Sequence, residues 1–308
     1  MTGVNPDTAG SVAETAPGLL PAAPPRGRSL WRNAGRRLGS NHAAVIAGAL
    51  LLLIVLLVIA APWVAPYDYL TPDWERAATG PGVAGGHWFG TDAIGRDLFA
   101  RTMIGGRISL TVGLLATLVS LLIGVAYGAI AGYFGGRIDD VMMRLVDVLY
   151  ALPFMFFVIL LMVVFQRHIV LVFIAIGAVN WLDMARIVRG QTLALRHRPF
   201  VEAARAIGVR PAAIIRRHIV PNLLGVVIVY ATLTMPQVIL VESFLSFLGL
   251  GVQEPMTSWG LLVNEGAQEL EAAPWTLIFP ALFLVTTLYC LNFLGDGLRD
   301  ALDPKDHL

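Results

Sequence analysis

Residues 186–222 read RIVRGQTLALRHRPFVEAARAIGVRPAAIIRRHIVPN, a polar, arginine-rich stretch lying between two apolar ones. Pro199 is placed to begin a short helix, because its missing N–H costs nothing at a first helical position. Phe200, Ala204 and Ile207 then fall on one stripe of that helix, and Gly208 can close it through a left-handed turn. Pro211 stands where a second short helix would start and run to about His218. Pro221 is expected to stop that helix as the chain turns back. The predicted product is helix, glycine elbow, helix. Ala203, Ala204 and Ala206 leave a surface on which another protein's groove can close, and Glu202 with the flanking arginines can make charge-assisted bonds. Composition alone supports a second use of the same arginines, to set topology and lie against anionic lipid.

The rest of the chain says what this stretch is embedded in. Of 308 residues, 56% are apolar and 14% charged, and the mean hydropathy is +0.71. Soluble domains carry about 25% charged residues, so this composition leaves too little polar surface to wrap a globule in water. The solvent for most of the chain is lipid. Net charge is +1 and gives no sign of nucleic acid as a partner. Cys290, the one cysteine, excludes an intrachain disulfide and a cysteine metal cage, and no metal site is expected.

Ala43 to Ala65 carries no charge, and its 23 residues reach about 34 Å as a helix, enough to cross a bilayer core. The run is too long and too far from the N-terminus for a cleaved signal peptide, which favours a retained anchor. Five more apolar stretches follow at about 109–133, 141–165, 169–188, 222–250 and 275–295, giving about six transmembrane helices and an all-α polytopic membrane protein. Asp147 and Pro153 in the third, and Pro236 and Glu242 in the fifth, predict kinked or partly solvent-lined helices. With the N-terminus inside, 17 basic residues fall on inner segments and 5 on outer ones, which places both termini in the cytoplasm by the positive-inside rule. The organisation expected is a cytoplasmic tail over 1–40, disordered through its Pro-Gly-Ala-Thr clusters to residue 25, and a first crossing over 41–66. An extracytoplasmic loop over 67–108, a core over 109–298 and a cytoplasmic tail over 299–308 follow. No useful similarity between the halves suggests an inverted repeat.

Certain motifs narrow the class. Glu202-Ala203-Ala204, three residues, Gly208, then Pro221-Asn222 resembles the EAA loop of membrane subunits in binding-protein-dependent ABC importers. Within that class, FGTDAIGRDLFAR (89–101) is similar to the segment before the second crossing of the second membrane subunit of dipeptide/oligopeptide permeases. GGRIDDVMMRLVDVLYALP (135–153) is similar to the third crossing of that subunit, and ESFLSFLGLG (242–251) with PMTSWG (255–260) to the end of its fifth and the loop beyond. These matches are spread over nearly all of residues 40–300. The family usually has a small residue where Ser243 or Phe244 stands, a departure that bears on packing there.

The resemblance implies an ABC type I importer permease fold, and a coupling loop at 199–222 with Glu202, Ala203, Ala204, Gly208, Pro221 and Asn222 as its working residues. It implies as partners a second, homologous permease subunit, two cytoplasmic ATPase subunits or domains carrying ATP and Mg, and an extracytoplasmic substrate-binding protein. A bacterial inner membrane location follows. This chain has no ATPase site or cofactor of its own to expect: a Walker A loop needs Gly-Lys-Ser/Thr, and the one lysine, Lys305, lies between Pro304 and Asp306. No HExxH, CxxC or G-x-S-x-G occurs, and no catalytic residue is assigned, His218 in the loop included. Related permeases are associated with peptides, glutathione, nickel or haem, so the substrate stays open.

Ionisable and polar groups at membrane depth are the candidates for a translocation path: Glu242, Asn180, Gln237 and Asp147. Glu242 could meet a peptide amine or pair with a neighbouring helix. Asp147 stands three residues after Arg144, which suggests a local ion pair, and Asp183 with Arg186 marks the corner where the fourth crossing meets the inner loop. Glu254, Glu265, Glu269 and Glu271 make the outer segment 251–274 acidic, suited either to docking an extracytoplasmic protein or to solvation. Two rival readings remain: an ion-driven carrier or channel complete in one chain, and a membrane scaffold.

Overall fold

The computed structural model describes residues 30–82, 85–165 and 169–302. The tail through residue 25, Arg26, Arg28, Arg167, His168 and Lys305 lie outside the described residues. The architecture is all-α, and four helices are long and apolar enough to cross a membrane, among the described residues and by length and composition.

α1 (Leu30–Ser40) occupies the end of the stretch assigned to a tail, and α2 (His42–Val64) is the first crossing. Asn41 separates them: its side chain accepts from the Ala44 N–H at 3.2 Å, satisfying a donor that the start of α2 leaves open. α3 (Leu98–Phe134) runs for 37 residues, about 55 Å, and starts eleven residues before the crossing expected at 109. The loop between α2 and α3 is shorter than expected for that reason, with Asp97 capping α3 through the Ala100 N–H at 2.7 Å.

The third crossing is not one rod. α4 (Gly136–Ala151) and α5 (Phe154–Phe165) are separated at Leu152, which is extended, as a residue before proline tends to be. Twelve residues of α5 span about 18 Å, less than a hydrocarbon core of about 30 Å. α6 (Ile169–Leu195) runs seven residues past the end expected at 188. After α7 (Pro199–Ala206) and α8 (Pro211–Ile214), a π-helical turn at Ile215–Ile219 leads into α9 (Val220–Phe247). Pro221 therefore does not stop a helix: residues Pro211–Phe247 form one continuous rod. α10 (Trp259–Gln268) is short, and α11 (Trp275–Leu302) is the last crossing, extending into the segment assigned to the C-terminal tail.

α3 is the axis of the bundle, and small residues make it so. Gly124, Gly128 and Gly132 recur at four-residue spacing on the face that meets α6. A Cβ at Gly128 would stand 2.3 Å from the Ala185 carbonyl, at Gly124 2.5 Å from the Met184 Cβ, and at Gly132 2.7 Å from the Arg189 carbonyl. Small residues at this period let two membrane helices approach backbone to backbone, where dispersion and weak polar contacts replace the hydrophobic drive that lipid cannot supply. The seam is locked at one end by Arg189 of α6, which donates to both oxygens of buried Asp139 at the start of α4, the shortest contact being 2.6 Å.

Large apolar side chains cover the outside, among them Leu52, Leu56, Leu118, Leu122 and Leu160. Such a surface suits lipid or a partner subunit and is unfavourable in water. Gly128→Ala is expected to destabilise the purified chain by about 1–3 kcal/mol, because the added methyl forces α3 and α6 apart. Thermal unfolding in detergent measures this, and an unchanged midpoint would show that the seam yields without cost.

Candidate functional site

The hairpin expected from the sequence is present. Pro199 opens α7 at its first turn, and α7 closes on Gly208, whose φ is +79°. The Gly208 N–H donates to the Arg205 carbonyl at 3.0 Å and the Val209 N–H to the Ala204 carbonyl at 3.1 Å, the paired bonds of a Schellman turn. No atom lies within 4 Å of where a Gly208 Cβ would be, so glycine is required there for its backbone angle and not for space. Pro211 opens α8.

The register of α7 differs from the expectation. Val201 and Ala204 face the bundle, while Phe200 and Ile207 point away, Ile207 being 81% exposed. Both faces of this short helix carry apolar residues, and the packing partners choose between them. Those partners are Ala129 and Tyr133 of α3, Met184 and Val188 of α6, Ile214 of α8, Ile219, and Leu223 and Val227 of α9, one buried cluster in which Val201 and Ala204 take part. Glu202, Ala203, Ala206 and Gly208 lie exposed with Phe200 and Ile207. The hairpin is thus seated on three long helices at once and offers a small, apolar outer surface with one carboxylate.

Pro221 and Asn222 close the motif in a way the sequence does not disclose. Proline cannot donate within a helix, and the π-helical turn just before it, where the Val220 N–H reaches back to the Ile215 carbonyl, widens the helix by one residue. The Asn222 side chain donates to the His218 carbonyl at 2.6 Å. The two residues carry α8 into α9 without a break.

The path candidates separate. Glu242 is fully buried, accepting from Ser246 Oγ at 2.8 Å and Ser109 Oγ at 3.0 Å, with Ser243 Oγ at 3.4 Å. Ser109 Oγ in turn accepts from the Trp259 N–H. Glu242 therefore ties α9 to α3 and α10 and is closed off from any open face in this structure. Gln237 is exposed on α9, on a stripe with Tyr230, Leu240, Phe244 and Leu248. Asn180 donates to its own helix at the Ile176 carbonyl, 2.8 Å away. Asp147 pairs with Arg186 of α6 at 2.8 Å instead of with Arg144, and Tyr150 stacks on the same guanidinium. Asp183 and Arg186 both lie within α6 and do not form a corner.

On the side where α3 begins, the expected acidic surface is partly consumed inside the chain. Asp92 Oδ2 accepts from Arg96 and from Arg101, both at 2.7 Å, while its Oδ1 accepts from the Ile94 and Arg96 N–H groups. Arg96 reaches Glu254 at 2.8 Å and Arg101 reaches Glu265 at 2.8 Å. Gly95, with φ +83°, passes so close to Asp73 that a Cβ would stand 1.8 Å from its carbonyl oxygen. His87 and Asp97, both buried, meet at 2.8 Å. The DAIGRD stretch is thereby a clamp holding the loop, α3 and α10 together. Glu269 sits beside this clamp, its Oε2 enclosed and without a hydrogen-bond partner among the described residues. Burial pushes its carboxyl above the usual carboxylate range, and the negative Asp92 and Glu265 add to the effect.

Residues 124–305 match the family described as "Binding-protein-dependent transport system inner membrane component". Residues 29–81 match the "N-terminal TM domain of oligopeptide transport permease C". The chain is 57% identical over 280 residues to the "Oligopeptide transport system permease protein OppC" of Haemophilus influenzae, covering 91% of this chain and 90% of that one. It is 56% identical to the protein of the same description from Escherichia coli K12, covering 91% and 93%. The "Dipeptide transport system permease protein DppC" of Bacillus subtilis is 45% identical, covering 90% and 86%. The chain belongs to the family of binding-protein-dependent transport system inner membrane components. It is a multi-pass permease subunit of an ABC importer in the inner membrane, a transport protein whose ATP hydrolysis lies in partner subunits.

Two outcomes test the clamp. Asp92→Ala leaves the buried Arg101 guanidinium short of its nearest carboxylate and is expected to cost about 3 kcal/mol, read as a lowered unfolding midpoint; a midpoint equal to wild type would contradict it. Glu269 has a folded-state pKa above its unfolded one, so its favourable contribution exists at low pH and is lost as pH rises through the folded value. Glu269→Gln is therefore expected to stabilise the chain at about pH 8 and to have less effect at about pH 5. Equal effects at both pH values would refute the assignment.

Proposed function

We propose that this chain is one of two distinct membrane subunits of a peptide importer, and that its hairpin over residues 199–222 receives the movement of a cytoplasmic ATPase. Relatives named for oligopeptide and dipeptide transport are similar along nine-tenths of the chain, which supports peptides as the substrate class. The observation that carries the coupling role is the seating of α7. Val201 and Ala204 share a buried cluster with residues of α3, α6 and α9, while Phe200, Glu202, Ala203 and Ile207 are exposed among the described residues.

The mechanism follows from that mounting. Two ATPase subunits carrying ATP and Mg approach each other when nucleotide binds, and a groove on one of them closes over the small outer face of α7. Because the hairpin shares a buried cluster with three helices and continues into the rod at Pro211–Phe247, its displacement tilts those helices together. ATP favours the closed ATPase arrangement and with it the outward-open membrane state; hydrolysis and release restore the inward one. Glu202 and the arginines around it supply the charge-assisted contacts, Gly208 fixes the angle of the hairpin, and Pro221 with Asn222 preserve the rod.

Substrate would pass between this chain and the second permease subunit. The stripe on α9 that carries Gln237 is the candidate lining, Asn180 is a secondary one, and Glu242 and Asp147 support the frame. An extracytoplasmic binding protein delivers the substrate, and both termini lie in the cytoplasm, as the 17-to-5 distribution of basic residues supports. A carrier complete in one chain is not favoured, since Glu242 is enclosed by serines and Asp147 is held in an exposed ion pair.

Gly208→Pro forces a negative φ on a position at +79°. In the assembled importer it is expected to abolish uptake and to break the dependence of ATPase rate on substrate-loaded binding protein. Gly208→Ala, with a left-handed alanine costing roughly 1–2 kcal/mol, should impair coupling only in part. Wild-type uptake and coupling in Gly208→Pro would refute the role. Failure of any ATPase subunit to accompany the gently solubilised wild-type chain would refute the partnership.

A further inference from the structure

Carboxylates are distributed unevenly among the arginines of this chain. Where α3 begins, Arg96 and Arg101 meet Asp92, Glu254 and Glu265. Toward its other end, Arg186 and Arg189 meet Asp147 and Asp139. Beyond them, Arg196, Arg198, Arg205, Arg210, Arg216 and Arg217 share their stretch of sequence with one carboxylate, Glu202. None of the six is in an ion pair among the described residues.

Two of these arginines converge on a recess. Tyr133, Phe134, Arg196, His197 and Arg205 line a cavity of about 360 Å³ between the end of α3 and α7. Arg196 is folded back over α3, with Nη1 donating to the Gly132 carbonyl at 3.3 Å and Nε to His197 Nε2 at 2.9 Å. Gly135 makes this possible: its φ is +65°, and a Cβ there would stand 2.1 Å from Arg196 Nη1. Arg205 lies over the Tyr133 ring at 5.4 Å, a position that leaves the edge of its guanidinium open. A guanidinium has five N–H donors, so Nη2 of Arg196 and the fork of Arg205 remain for a ligand.

The position of the recess identifies that ligand. Tyr133 and Phe134 are the last two residues of a membrane-length helix, and Phe134 is exposed, as aromatic residues are where acyl chains meet headgroups. A ligand here must bring an anionic, fork-shaped acceptor to the guanidinium groups and an apolar part to Phe134. The phosphodiester of an anionic phospholipid has both. We propose that this recess binds the phosphate of an anionic phospholipid headgroup, seating a lipid between the end of α3 and the coupling helix α7. The inference rests on the membrane placement of α3 and is independent of what docks on the outer face of α7. It makes lipid composition an influence on how firmly the hairpin is held, because the lipid would bridge Arg196 at the base of the hairpin and Arg205 on it.

The test uses the full chain, solubilised with the subunits that accompany it. Thermal unfolding is followed with added phosphatidylglycerol, phosphatidylcholine or inorganic phosphate. Phosphatidylglycerol is expected to raise the midpoint by several degrees over phosphatidylcholine. That gain should be lost in Arg205→Gln, which removes the guanidinium that lies over the Tyr133 ring at the recess, and kept in Arg210→Gln, an exposed arginine outside the recess. Equal shifts with the two lipids, or a gain retained in Arg205→Gln, would overturn the site. A full shift from inorganic phosphate alone would overturn the lipid assignment. Native mass spectrometry of the wild type decides without a mutation: phosphatidylglycerol retained in preference to phosphatidylcholine supports the site, and no preference overturns it.

Discussion

The close approach of α3 and α6 is the constraint on which the rest of the structure depends. α3 presents bare backbone at Gly124, Gly128 and Gly132, where an added Cβ would stand 2.3–2.7 Å from α6 atoms, so no larger residue fits that spacing. Arg189 and Asp139 then fix the end of the seam, tying in α4 by a bidentate, charge-assisted pair. α6 continues from this seam directly toward α7, so the hairpin begins from backbone packed closely against α3. Its second attachment is the buried cluster around Val201, Ala204 and Ile214, and its third the unbroken run into α9. A segment mounted at three points moves with its mounts, which is what a mechanical relay needs.

At the other end of α3 the same helix is held by charge as well as by glycine. Arg101 is buried, yet its partners Asp92 and Glu265 balance it, and Trp259 packs fully buried against Gly106 with its indole N–H on the Thr102 carbonyl. Glu242 is the internal counterpart, a carboxylate satisfied by serine hydroxyls of α3 and α9. Each is expensive to bury unpaired and specific when paired, so these groups fix how α3, α9 and α10 meet. The phosphate site proposed at the end of α3 would extend the pattern, with the missing anion supplied by the membrane.

What was legible in the sequence was local. Pro199, Gly208 and Pro211 announce the hairpin because each acts through its own backbone angle, and the uncharged run after Ala43 announces a crossing by length alone. What was not legible depends on residues far apart. The start of α3 is hidden by Arg101 and Arg107, which look like loop charges until Glu265, 164 positions away, is found beside Arg101. Asp147 has Arg144 close in sequence and Arg186, 39 positions away, as its partner in space. The face of α7 could not be chosen from a short helix with apolar residues on both sides. The four-residue glycine spacing of α3 was open to reading, since it is a pattern of small residues at helical period, and it marks the seam that no apolar count reveals.

The central claim is that the outer face of α7 is where an ATPase subunit sits. Its most direct test is the reactivity of Ile207→Cys in a Cys290→Ser background, which removes the one native thiol. The account predicts rapid modification by a water-soluble thiol reagent when the membrane subunits are stripped of ATPase, and protection in the assembled importer. Equal reactivity in both states would contradict it.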